Sequence, residues 1–288
     1  MIYEIKNEHL KARISSLGAE LISVLGDGGY EYIWQGERFW HSHAPVLFPL
    51  CGRIKDERYT YHGKEYSMKL HGLAMYSEFT VKEMTDSSIE LVFSSDESTK
   101  EKYPFDFTLT VKFALDGKKL NAAFTVSNDG EDVLPYMIGW HPGINLDPSV
   151  EIEDYYLDFG KEAALRLHPV KDRKFILSST VPFVTEDGKY RIREDELDDY
   201  DTLVLEGTSY FVRLASDKPA HSVVLRWSDN IPNFCVWRMP LVNAPYLCLE
   251  PWSNLPGDGV SDEHFETRDM LRLQKGEKSE FLFETEFD

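Results

Sequence analysis

From residue 105 to 115 the chain reads FDFTLTVKFAL. Phe107, Leu109, Val111 and Phe113 fall on one side of an alternating pattern, with Asp106, Thr108, Thr110 and Lys112 on the other. A period of two over this length marks a strand with one buried face. Asp116 and Gly117 follow as a tight-turn pair. KKLNAAFTVSND then returns with Leu120, Ala122, Phe124 and Val126 alternating, so the two segments predict a hairpin. The same alternation recurs in SEFTVKEM, SIELVFSS, SVVLRWSD, NFCVWRMP and SEFLFETEF. Turn-forming runs such as GDGG at 26–29 and SNDGED at 127–132 separate such segments. Helical periodicity is nearly absent, and there is no glycine-rich phosphate loop or internal repeat. The acidic run REDELDDYD, 193–201, reads as an exposed loop, and no Ser/Gly/Pro-rich break divides the chain. The pattern predicts an all-β protein, one large antiparallel β-sandwich domain over residues 1–288, with polar loops at the strand ends available for a site.

Composition narrows the partners. A chain of 288 residues, 42% hydrophobic and 13% aromatic, has ample material for a core and is not a disordered sequence. Its 31 basic residues face 50 acidic ones, a net charge of −19. Such a surface repels phosphate backbones, and no basic stripe offsets it; nucleic acid is not expected, and a neutral small molecule fits better. Cys51, Cys235 and Cys248 are sparse and odd in number, without C-x-x-C spacing. Neither a disulfide framework nor a structural zinc site is expected, and a reducing cytoplasm is the natural compartment. MIYEIKNEHL lacks the basic start and apolar stretch of a signal peptide. No run approaches ~18 consecutive apolar residues, so no membrane span is expected.

Three stretches carry candidate chemistry. In LCLEPWSN, 247–254, Glu250 lies between the apolar run Leu247–Leu249 and Pro251, which is expected to end the strand. One reading is a solvated strand-end carboxylate. The other is a base whose pKa is raised by partial desolvation beside Trp252. In FPLCGRIKDERYTYHGKEYSMKLHGLA, 48–74, Gly52 allows close backbone approach before Arg53, and His71-Gly72 ends a short segment. Arg53 either pairs with an acid or offers its planar donor fork to a ligand, and His71 is either a turn residue or a site residue. In YMIGWHPGIN, 136–145, His141 sits at a strand exit before Pro142-Gly143, and an imidazole there can exchange a proton near neutrality. Tyr136 and Trp140 are either core rings or a platform for a sugar. His41 and His43 form an H-x-H pair with Cα atoms about 6.6–6.8 Å apart on a strand. Joined by Glu250 or His71 they would make a metal site, but the spacing alone is weak support.

CGRIKD with Arg53, LHGLA with His71, GWHPGIN with His141 and CLEPWSN with Glu250 occur in one order over two hundred residues. In that order and context the chain resembles the aldose 1-epimerases (galactose mutarotases), in particular their LacX-like branch, over nearly its whole length. The resemblance implies a large antiparallel β-sandwich and interconversion of the α and β anomers of a free aldose, with no cofactor and no metal. It implies Glu250 as the base that takes the C1 hydroxyl proton and His141 as the acid that protonates the ring oxygen. His71 would assist near C1, while Arg53 orients hydroxyls and Trp252 helps to hold the sugar. A sugar-gripping aspartate matches Asp201 best, in YDTLVLEG; Asp198, Asp199 and a strand-start cap remain alternatives. Trp140 stands where a small residue is expected, which bears on the identity of the sugar. Two other readings stay open: a non-catalytic carbohydrate-binding or sensing protein on the same fold, and a mutarotase for hexose 6-phosphates. Lys55 and Arg58 beside Arg53 would supply the cations for the second.

Overall fold

The computed structural model describes residues 1–172 and 174–288. Its frame is two antiparallel sheets. The first holds nine strands among the described residues, in the order Lys189–Arg191, Tyr155–Asp158, Phe211–Ser216, Val223–Trp227, Lys278–Phe287, Lys119–Asn128, Phe107–Asp116, Ser88–Ser94 and Thr80–Met84. The alternation in each long strand sorts its side chains by face. Phe107, Leu109, Val111 and Phe113 are fully buried, as are Leu120, Phe124 and Val126 across the hairpin. Asp116 pairs with Lys119, so Asp116 belongs to the strand and the two turn residues are Gly117 and Lys118. Gly117 supplies the positive φ, +55°, at the first turn position that a right-twisted two-residue hairpin requires.

The second sheet runs Val181–Pro182, Arg166–His168, Thr202–Glu206, Asn233–Trp237, Tyr246–Trp252, Gly139–Trp140 and Val46–Leu47, with Gly143–Asn145 also paired to Tyr246–Trp252. It stacks on the first through large rings. Trp140 meets Phe113, Phe124 and Phe283 at centroid distances of 6.4, 6.2 and 5.6 Å, and its indole N–H donates to Ala44 O at 3.2 Å. One buried apolar cluster spans both sheets, which makes the protein an all-β sandwich as its alternation predicts. No helix among the described residues is long and apolar enough to cross a membrane.

Two further expectations need correcting. Pro251 does not end its strand: pairing with Asn233–Trp237 continues through Pro251 to Trp252. The N–H of Leu249 donates to Pro142 O, and the N–H two residues on would point to the same side, where the neighbouring strand is interrupted between Gly139–Trp140 and Gly143–Asn145. Proline there forfeits no ladder bond. The acidic run is not an exposed loop but a helix, Glu194–Tyr200. Glu194, Asp195 and Glu196 in its first turn suit the positive end of the helix dipole, and Leu197 anchors it in the core. Of the two readings of Tyr136 and Trp140 the core one holds, since both are buried rings at 1% exposure.

Candidate active site

All seven residues of Tyr246–Trp252 are buried, so the strand is covered on both faces. Leu247 and Leu249 join the core between the sheets, whereas Tyr246 and Cys248 belong to a second cluster with Trp34, against which Trp40, Trp237 and Met239 pack. Glu250 follows in the same phase and opens into a cavity of about 310 Å³. At 1% exposure it is no solvated strand-end carboxylate.

Two zipped loop segments bring Arg53 and His71 to that cavity. Phe48 O accepts from the N–H groups of Leu73 and Ala74, and His71 N–H donates to Gly52 O at 2.9 Å. In return Gly52 N–H donates to the imidazole Nδ1 of His71 at 3.0 Å. The zip is tight enough to require glycine at both turns. A Cβ on Gly72, at φ +84°, would lie 2.4 Å from Phe48 O, and one on Gly52, at φ +70°, 2.6 Å from Pro256. With Nδ1 accepting, the ring proton of a neutral His71 sits on Nε2. Burial, reinforced by His141 and Arg53, holds the His71 pKa well below the usual imidazole range.

His141 leaves Gly139–Trp140 at the interruption opposite Pro251, its N–H donating to Pro45 O. Its Nε2 lies 3.1 Å from Glu250 Oε2, although the two are not aligned as a hydrogen bond. Both carboxylate oxygens and His141 Nδ1 lack a hydrogen-bond partner among the described residues. The Trp40 ring tilts over the imidazole at 4.9 Å, Trp237 meets it edge-on at 5.8 Å, and His71 lies perpendicular at 5.4 Å. Burial pushes the Glu250 carboxyl well above its ordinary range. The Trp252 indole pulls it down by less and makes no aligned hydrogen bond to it. Burial also lowers His141 to about 3. Each group is pressed toward its neutral form. A protonated carboxyl beside a neutral imidazole holds as many protons as a carboxylate beside an imidazolium, so the two states differ only in where one proton sits.

This has a consequence for stability. The folded chain keeps His141 neutral where the unfolded chain protonates it, near 6.5. Its contribution is therefore whole above that pH and is lost as pH falls toward about 3. Glu250, shifted upward, has the opposite sign: its contribution is present at low pH and lost as pH rises. On going from pH 7 to pH 4.5, the wild-type Tm should therefore fall by more than that of His141→Asn. Equal falls in thermal melts of the two proteins would contradict a buried neutral imidazole.

Arg53, Asp201, Trp252, Trp40, Trp237, Met239 and Lys174 also line the cavity. Asp201 ends the helix Glu194–Tyr200 with φ +66°. Of the three candidate acids it is the one at the cavity: Asp198 accepts from Leu241 N–H and lies 4.0 Å from Arg238, and Asp199 is exposed. Neither Arg53 nor Lys174 makes an ion pair among the described residues. Lys55 and Arg58 are engaged elsewhere, with Asp262 and Glu65 at 2.9 and 2.7 Å. His41 is exposed, and His43 faces Glu20 at 3.5 Å; neither lines the cavity, so they form no metal site with Glu250 or His71. Sequence motifs do not point to Trp40, Trp237, Met239 or Lys174. Trp237 alone left a signal, since alternation in NFCVWRMP puts it on the face of Cys235, the cross-strand partner of Glu250.

Residues 1–284 match the family model described as Aldose 1-epimerase. The protein LacX (plasmid) of Lactococcus lactis subsp. lactis is 31% identical over 268 residues, 88% of each chain. The crystal structure of a galactose mutarotase related enzyme from Lactobacillus acidophilus superimposes with a TM-score of 0.92 at 31% identity, covering 100% of this chain and 97% of that one. A galactose mutarotase-like protein from Lactobacillus casei gives 0.93 at 28% identity, with both chains fully covered. The family match over nearly the whole chain and the close superposition of these sandwiches define the class. The chain belongs to the aldose 1-epimerase family.

Proposed function

We propose that the protein is a cofactor-independent mutarotase for a free aldohexose, with Glu250 as base and His141 as acid. The observation that carries this reading is the 3.1 Å approach of His141 Nε2 to Glu250 Oε2 inside the cavity, with the carboxylate oxygens otherwise unpartnered among the described residues. The hemiacetal hydroxyl and the ring oxygen sit on the same carbon, so groups this close can serve both. In the working state Glu250 is ionised and His141 protonated. Glu250 takes the C1 hydroxyl proton, C1=O1 forms, and the C1–O5 bond breaks with its electron pair going to O5, which accepts the His141 Nε2 proton. The pair is then a carboxylic acid and a neutral imidazole, the forms that burial favours. Rotation about C1–C2 presents the other carbonyl face, and the reverse transfers close the ring. His71 Nε2–H donates a hydrogen bond near C1, Arg53 and Asp201 orient hydroxyls, and Trp252 walls the sugar. The test is anomer exchange followed by NMR or polarimetry over a panel of aldoses. Binding without exchange on every member would leave a carbohydrate-binding protein on this fold.

Arg53 and Lys174, without an ion-pair partner among the described residues, favour a second reading, in which the substrate carries a 6-phosphate. Against it stand Asp201 in the same cavity, the exposure of both cations, and a net charge of −19. Beyond a Debye length of ~8 Å the surface charge is screened, so the cavity's own charges decide. Glucose or galactose is therefore expected to give a higher kcat/KM than its 6-phosphate, with no gain for the phosphate at low salt. A preference for the phosphate that strengthens at low salt and vanishes in Arg53→Gln or Lys174→Gln would establish the second reading.

A further inference from the structure

The proton-transfer pair has a neighbour that the reaction does not use. Cys248 precedes Glu250 by two residues on a continuous strand, so its thiol lies on the same face. Ligand atoms of His141, Cys248 and Glu250 all lie within 4.8 Å of one another, and all three residues are buried. Glu250 is 99% removed from solvent, and neither of its oxygens has a hydrogen-bond partner among the described residues. The carboxylate thus faces the cluster unsatisfied, a costly arrangement that a cation relieves.

We propose that His141, Cys248 and Glu250 form a three-ligand site for one thiophilic divalent cation, Zn²⁺ by its chemistry, and that the cation blocks anomer exchange by capturing both proton-transfer groups. Imidazole nitrogen, thiolate and carboxylate together suit a borderline-soft d¹⁰ ion that imposes no geometry of its own, whereas Mg²⁺ and Ca²⁺ demand more ligands, all oxygen. Tetrahedral Zn²⁺ with bonds of about 2.0–2.3 Å spaces its ligands roughly 3.3–3.7 Å apart. The His141–Glu250 edge, 3.1 Å, is close to that already, and edges of up to 4.8 Å close by about one ångström of side-chain rotation. The cavity supplies the fourth position, for water. Binding releases the Cys248 thiol proton and the single proton shared by Glu250 and His141, both to solvent. The product, Zn²⁺ with one thiolate, one carboxylate and a neutral imidazole, carries no net charge, which suits a dry site.

The blocking half of the proposal rests on the mutarotase reading; the binding half does not. Metal-free protein is titrated with Zn²⁺ alone against a chromogenic chelator, and with Co²⁺ as a spectroscopic stand-in. The expected result is one bound equivalent and a thiolate-to-cobalt charge-transfer band. Cys248→Ala and the size-matched Cys248→Ser should lose the band and weaken binding by more than the ~10–100-fold typical of losing an outer-shell partner. In exchange assays, one equivalent of Zn²⁺ should stop the wild type and chelation should restore it. Cys248→Ser should exchange anomers at the wild-type rate whether or not Zn²⁺ is added. Zn²⁺ binding unchanged in both Cys248 variants, absence of the band, or no binding would overturn the site. Exchange that requires the metal would overturn the blocking role. Cys248-dependent binding in a protein that never exchanges anomers would uphold the site and refute the mutarotase reading instead.

Discussion

Glu250→Gln and His141→Asn are each expected to slow anomer exchange by ~10²–10⁴-fold, the usual worth of one general acid or base. Glutamine keeps the size of Glu250 and removes only its ability to take a proton. It is also neutral, and burial already presses the carboxyl toward neutrality, so the fold should tolerate it. Asparagine at 141 removes the imidazole while keeping a polar group at the strand exit. If the two residues pass one proton between them, the losses will not add: His141→Asn placed on Glu250→Gln should cost little more, because the first change has already stopped the cycle. Near wild-type turnover in Glu250→Gln would take that residue out of the base role. Additive losses would show that the two act in separate steps.

The largest effect on stability should come from a ring outside the cavity. Trp140→Ala is expected to cost about 3–5 kcal/mol in chemical denaturation, as for other large-to-small changes at fully buried aromatic positions. Trp140 contacts Phe113, Phe124 and Phe283 on the opposite sheet, so its removal opens a void at the seam between the sheets. It also leaves Ala44 O without its indole donor. A loss below about 1 kcal/mol would mean that the seam collapses around the gap or that the ring contributes little to holding the sheets together.

Trp140 and Glu250 mark the limits of what was legible in the sequence. Long strands could be read directly, because one face of Phe107–Asp116 or Lys278–Phe287 meets water and alternation records that. Tyr246–Trp252 carries no such record. Its outer face is covered by Trp40, Trp237 and their neighbours, so a carboxylate resembling a strand-end group is a buried one. Pro251 misled for a similar reason, since whether a proline breaks a ladder depends on a partner strand that is interrupted more than a hundred residues earlier. Glu194–Tyr200 is too short for a helical period to emerge from its run of acids. Motifs located Arg53, His71, His141 and Glu250, and one cavity gathers all four. Trp40, Trp237 and Lys174 come from segments with no motif, and only tertiary pairing brings them there.

The reciprocal bonds between Gly52 and His71 bear on the symmetry of the reaction. Main chain, not solvent, decides which ring nitrogen of His71 carries hydrogen, and burial keeps that ring from gaining a second proton. The mutarotase cycle proposed above runs in both directions and begins from either anomer, so in it Glu250 and His141 would trade protonation states at every turn. An imidazole whose tautomer is locked by the backbone looks the same to the α form, the β form and the open chain. In the proposed reaction it would serve as a fixed marker for the position of C1 while the bonds around that carbon are remade, favouring neither product.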